Sequence, residues 1–127
     1  MSSGSGSGGV EIKHCGRTVA GDYVAFDIQW EGVLPEARET SWGMIVTGPD
    51  GVETVRLNHE RAGGEASQYV GAAAGQVEVD PDADLDEGEI TVRFPANVVG
   101  VAVEWPVWTA IITADGRELA TCVVPIG

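Results

Sequence analysis

The stretch that most constrains the fold lies near the C-terminus, Val107 to Val124, VWTAIITADGRELATCVV. Two runs rich in β-branched residues flank Asp115-Gly116, a pair that tolerates the positive φ required at both central positions of a type I′ turn. A two-residue turn fixes the register of the ribbon. It predicts Ile112 opposite Leu119, Ala110 opposite Thr121 and Trp108 opposite Val123, with Cys122 opposite Thr109 on the other face. Such a ribbon is not stable alone, so the rest of the chain must cover its apolar side.

Upstream residues supply more strands. Val24, Phe26, Ile28 and Trp30 alternate with Ala25, Asp27 and Gln29, the period of a strand with one buried and one wet face. Ser41 to Thr47 and Val52 to Leu57 read as a hairpin about Gly48-Pro49-Asp50-Gly51. Val10 to Cys15 is expected as a first strand, Ala66 to Gly71 and Gln76 to Val79 as further ones, and Glu89 to Phe94 as another. Asn58 to Glu65 is expected as a polar loop and Asp80 to Gly88 as an acidic loop. Pro95 to Gly100 is expected to make one helical turn, with Pro at its first position. No stretch of ten or more residues carries helical periodicity. The expectation is an all-β, antiparallel β-sandwich of about eight strands, over residues 10–127. Residues 1–9, MSSGSGSGG, read as a flexible Gly/Ser linker, either an added tag or the tether of an exported lipoprotein.

Charge narrows the function classes. Twenty acidic residues face seven basic ones, a net charge of −13, and only two of the six arginines lie beyond residue 63. Nucleic acids and anionic membranes call for basic patches, so neither is an expected partner. No apolar run reaches the length of a transmembrane helix.

Few residues suggest chemistry. The sequence has no G-x-S-x-G, no H-E-x-x-H and no phosphate loop, so no catalytic residues and no enzymatic activity are expected. Seven carboxylates fall between Glu78 and Glu89, and Asp80, Asp82, Asp84 and Asp86 alternate as calcium ligands can. An EF-hand loop counted from Asp80 would need Gly and Glu where Leu85 and Thr91 stand. Counted from Asp82 it meets Glu87 and Arg93, so the reading is a solvated acidic loop with calcium as the alternative. His14 and His59 are read as ordinary surface or strand residues. Trp30 and Trp42 belong to apolar faces and are assigned to the core. Trp105, beside Pro106 and off the strand pattern, is the candidate ligand contact. Cys15 and Cys122, the only cysteines, are expected to form a disulfide in an exported protein and to remain two buried thiols in a reducing compartment.

The chain resembles a family of exported actinobacterial β-sandwich domains, often lipoproteins. The resemblance rests on Gly21-Asp22 leading to Leu34-Pro35, then Ser41-Trp42 and Gly48-Pro49-Asp50-Gly51. It continues with Ile90 to Pro95, Glu104-Trp105, and the ending from Thr109 through Asp115-Gly116 to Cys122. More distantly it is similar to DOMON-type and immunoglobulin-like sandwiches, which bind haem, sugars or protein partners. The haem-binding pattern needs axial Met and His ligands; the context of Met44 and His59 does not mark them as that pair, so haem is not carried over. The resemblance implies an extracellular or cell-surface location, with a lipid anchor in the native protein and a protein or glycan partner. A calcium or other small-ligand module and a virion decoration protein are the alternative expectations.

Overall fold

A computed structural model describes residues 9–125; the Gly/Ser segment expected over residues 1–9 lies, except for Gly9, outside the described residues. The described residues form ten strands, all paired antiparallel: β1 Glu11–Ala20, β2 Tyr23–Glu31, β3 Glu39–Thr47, β4 Thr54–Ala62, β5 Glu65–Ala72, β6 Gly75–Val79, β7 Ala83–Asp86, β8 Glu89–Pro95, β9 Val107–Ala114 and β10 Arg117–Val123. They make two sheets, ordered β1-β2-β8-β7 and β10-β9-β3-β4-β5-β6. The expected all-β sandwich is present, with ten strands rather than about eight.

Alternation drives the layering. Val24, Phe26, Ile28 and Trp30 of β2 are buried, as are Ile90, Val92 and Phe94 of β8 beside them. Trp42, Met44 and Val46 of β3, Val55 and Leu57 of β4, and Trp108, Ala110 and Ile112 of β9 face them from the larger sheet in one core. Phe26 stacks near Phe94 within the smaller sheet, ring centroids 6.0 Å apart, and Trp30 lies 5.9 Å from Trp42, joining the two sheets through aromatic contact. Trp30 and Trp42 are core residues, as expected.

The turns are those the sequence encodes. Asp115 and Gly116 have φ of 52° and 78°, the two positive values a type I′ turn demands. The Asp115 side chain also accepts from the backbone N–H groups of Arg38 and Glu39, tying the β2–β3 connection to the hairpin tip. At the other hairpin, Asp50 Oδ1 accepts from Val52 and Glu53 N–H, and these bonds hold its carboxyl below the usual range.

Four expectations are corrected. The Asn58 to Glu65 loop is strand: β4 runs to Ala62, and Gly63 and Gly64, both at positive φ, make the turn into β5 at Glu65. The acidic loop is interrupted by β7, Ala83–Asp86, paired with β8. Pro95 sits at the N-cap of the one-turn helix α1, Ala96–Val99, in an extended conformation rather than at its first helical position.

The last correction is the closing register. A bulge between Glu118 and Ala120 makes Leu119 an extra residue, so Ile112 pairs with Ala120, Ala110 with Cys122 and Thr109 with Val123. Cys122 therefore lies opposite Ala110, on the side of the hairpin that carries Trp108 and Ile112, and not opposite Thr109.

Candidate functional site

Trp105 is the residue the sequence offers as a candidate ligand contact, and it lines an open groove. It follows a 3-10 turn, Gly100–Glu104, that carries the chain from β8 to β9 across one end of the sandwich. Its indole rests on Gly48 in the β3–β4 turn, where a Cβ would touch the ring at 3.5 Å. Its carbonyl accepts from Arg17 Nη1 and from Trp108 Nε1, both at 3.0 Å. The Arg17 guanidinium lies 4.9 Å from the centre of the buried Trp108 ring, a cation–π contact that holds β1 to the crossover. Trp105 is thus fixed through its backbone while part of its ring remains accessible.

Three connections wall the groove, whose volume is about 950 Å³. The β3–β4 connection contributes Val52 and Glu53 and β4 adds Arg56, the β5–β6 turn contributes the Ala72 to Gly75 segment, and the crossover contributes Val101 and Trp105. Val52 and Val101 are 78% and 77% exposed, a high value for valine in a folded domain. Tyr69, Arg56, Glu53 and Gln76 add polar groups along the same surface. The arrangement offers an aromatic plate, apolar shoulders and planar hydrogen-bonding side chains in a shallow open trough.

The other expected sites are placed differently. Arg93 lies between Asp82 and Asp84, its Nη1 3.6 Å from Asp82 and its Nη2 against Asp84. Among the described residues no three His, Cys, Asp or Glu side chains gather as a metal site, and Asp80, Asp82, Asp84 and Asp86 do not converge. A cation would compete with a guanidinium for two of these four carboxylates.

His14 is a surface residue, 3.4 Å from Asp27. His59, expected as an ordinary surface or strand residue, is a strand residue of β4 and lies in the core, 0% exposed. Its Nδ1 lies 2.8 Å from Gln68 Oε1, and Arg61 Nε donates to its Nε2 at 3.0 Å. An amide oxygen only accepts, so Nδ1 carries the proton and Nε2 is the acceptor. Burial holds the His59 pKa below the usual imidazole value, with Arg61 acting in the same direction and Gln68 opposing it. Gln68 also accepts from Asp82 N–H at 2.7 Å and donates to the Arg93 carbonyl at 3.0 Å. One side chain of β5 thereby bonds across to β8 and to the approach to β7. The signal was present in sequence, because Val55, Leu57 and His59 keep the period of two, as do Gln68 and Val70.

At the opposite edge the two cysteine sulfurs meet. Cys15 Sγ lies 2.8 Å from Cys122 Sγ and 3.4 Å from the Cys122 carbonyl. The expected disulfide is not formed in this structure: both residues are free cysteines, Cys15 buried and Cys122 partly so.

Among the described residues no helix is long and apolar enough to cross a membrane. Comparisons of the chain with protein-family models, with characterised proteins and with solved structures find no match.

Proposed function

We propose that this chain is a non-enzymatic, exported binding module whose Trp105 groove takes a neutral glycan. The observation that carries the reading is the groove itself. A backbone-anchored indole lies beside exposed Val52 and Val101, with Arg56, Glu53 and Gln76 able to meet hydroxyl groups. Sugar rings present an apolar face to an aromatic plate and hydroxyls at their edges, and this surface has groups for both. Glu53 is the single carboxylate lining the groove, whereas glycoside hydrolysis in its usual form needs two flanking the bond. The imidazole nearest to a catalytic base, His59, has both ring nitrogens engaged inside the core. Export, with a lipid anchor at the cell surface, is supported by the acidic balance and by a cysteine pair positioned to bond.

The test is a nuclear magnetic resonance titration with neutral hexasaccharides, namely β-1,4-linked glucose, mannose and N-acetylglucosamine. Saturable shifts at the Trp105 indole and the Gln76 amide, weakened tenfold or more by Trp105→Ala in protein that still unfolds cooperatively, are expected. Tenfold corresponds to about 1.4 kcal/mol, reasonable for one lost stacking contact. No shift at millimolar sugar, or shifts confined to another surface, would overturn the glycan reading.

A further inference from the structure

We propose that Cys15 and Cys122 are a built cross-linking site that, once oxidised, staples the two sheets together at the edge where β1 meets β10. Four observations carry it. The sulfurs are 2.8 Å apart, closer than two thiols sit in simple van der Waals contact, whereas a disulfide bond is about 2.05 Å long. The two residues belong to different sheets, Cys15 to β1 and Cys122 to β10, and each of these is an edge strand. The register of each strand is independently fixed: Cys15 opposite Ile28 on β2, and Cys122 opposite Ala110 on β9. Finally, the Leu119 bulge is what brings Cys122 to face Cys15. Without that extra residue Cys122 would lie opposite Thr109, on the outer face.

The two lateral edges are held by different chemistry. On the β7 side, Gln68 bridges the sheets by hydrogen bonds. On the β1 side, among the described residues, β1 and β10 meet in side-chain hydrogen-bond contact through the Cys15 thiol and Cys122. The cysteine pair is the polar tie between β1 and β10 themselves, beside the Arg17 contacts with Trp105 and Trp108, and its redox state decides how firmly these two strands are joined.

The reaction balances with oxidised glutathione as the electron acceptor. A Cys122 thiolate attacks one glutathione sulfur, forming a mixed disulfide and releasing one reduced glutathione. The Cys15 sulfur then attacks the Cys122 sulfur of that mixed disulfide, expelling the second reduced glutathione. Two thiol protons and two electrons leave the protein in total. The order follows from exposure: Cys122 is the sulfur an oxidant reaches, while Cys15 is buried. Burial and the neighbouring Cys122 push the Cys15 thiol up to about 12, so the second step is the slow one.

Closure also bears on the groove, a consequence that rests on the binding reading above. Arg17, two residues along β1 from Cys15, donates to the Trp105 carbonyl. Trp108, two residues along β9 from the partner of Cys122, donates to the same carbonyl. Fixing β1 on β10 fixes both donors.

The experiment uses the full chain incubated in glutathione buffers of graded ratio at about pH 8, then acid-quenched. Intact mass should fall by about 2 Da and thiol titration of the unfolded protein should find no free cysteine. The oxidised form should melt roughly 10 °C above the reduced one, the shift expected for a long closed loop in a domain of this size. Cys15→Ser and Cys122→Ser should each abolish the redox dependence of the melting temperature, and Cys15→Ser should leave a glutathione adduct on Cys122. Two reactive thiols and unchanged mass in fully oxidising buffer would overturn the proposal, as would a disulfide linking two chains. Sugar binding that fails while the mass change occurs would refute the groove and leave the staple standing.

Discussion

His59 shows how a single buried side chain couples the core to pH. Its ring is neutral in the folded chain because burial penalises the cation and because Arg61 already donates to Nε2. A proton on Nε2 would set two donors against each other. The folded pKa is depressed below the unfolded value, so the stability His59 contributes is fully present at neutral pH. As pH falls below about 6.5, the unfolded chain takes up a proton that the folded chain refuses, and stability drops until the folded pKa is reached. One such group sets a slope of at most about 1.4 kcal/mol per pH unit. Urea midpoints measured between pH 7.5 and 5 are expected to decline, and His59→Gln should flatten that decline while lowering stability throughout. A pH-independent midpoint in the native protein would show the imidazole to be solvated. Trp42 belongs to the same neighbourhood: its ring centroid lies 6.3 Å from that of His59, and its Nε1 is buried with no partner. That orphan donor is a cost the aromatic packing of Trp30 and Trp42 must offset.

At the scale of elements, the sequence disclosed strands wherever an apolar residue recurs at every second position, and lost them where polar residues take the inward places. β2, β3, β8 and β9 alternate cleanly and were legible. The second half of β4 was read as loop because His59, Glu60 and Arg61 resemble connection residues, yet Gln68 and Arg61 satisfy the inward histidine and the strand continues. β7 was hidden by Asp84 and Asp86. Charges suit an edge strand, since they discourage pairing with another chain. The bulge at Leu119 carries no signature the turn chemistry could show, because a two-residue turn fixes register only up to the first irregularity. Of the candidate site, Trp105 was legible as an aromatic outside the strand pattern. Its neighbours Val52, Arg56 and Gln76 were not, because three separate connections bring them together. β7 also frames the calcium question. Asp82 and Asp84 are paired with Arg93, and surface pairs of this kind contribute at most about 1 kcal/mol. Because Asp80, Asp82, Asp84 and Asp86 do not converge among the described residues, millimolar calcium is expected to move the melting temperature by less than about 1 °C. A shift that saturates at micromolar calcium and is absent with magnesium would show that the carboxylates leave Arg93 to bind the ion.

The whole molecule is governed by a charge imbalance that its ion pairs do little to relieve. Twenty acidic residues face seven basic ones. The cations that meet carboxylates within 4 Å among the described residues are Lys13, with Glu11 and Glu31, and Arg93, with Asp82 and Asp84; His14 meets Asp27. Arg17, Arg56 and Arg61 instead donate to a backbone carbonyl, an asparagine and a histidine, so they neutralise no neighbouring acid by direct contact. Folding draws the surplus of negative charge into a smaller volume, which opposes compaction at neutral pH. Salt acts on two terms of opposite sign. It weakens the few favourable pairs, each worth at most about 1 kcal/mol, and it screens the many repulsions summed over the surface. The second term involves more charges and longer distances, so it prevails once the Debye length falls below the usual spacing of surface carboxylates. Raising sodium chloride from about 20 mM to about 500 mM shortens that length from roughly 20 Å to roughly 4 Å. The melting temperature should rise by a few degrees over this range, most of it below about 200 mM. Calorimetry at fixed redox state, with chloride as the anion so that exclusion effects stay small, is the measurement. A melting temperature that falls with added chloride would mean that the Arg93 and Lys13 pairs outweigh the net repulsion.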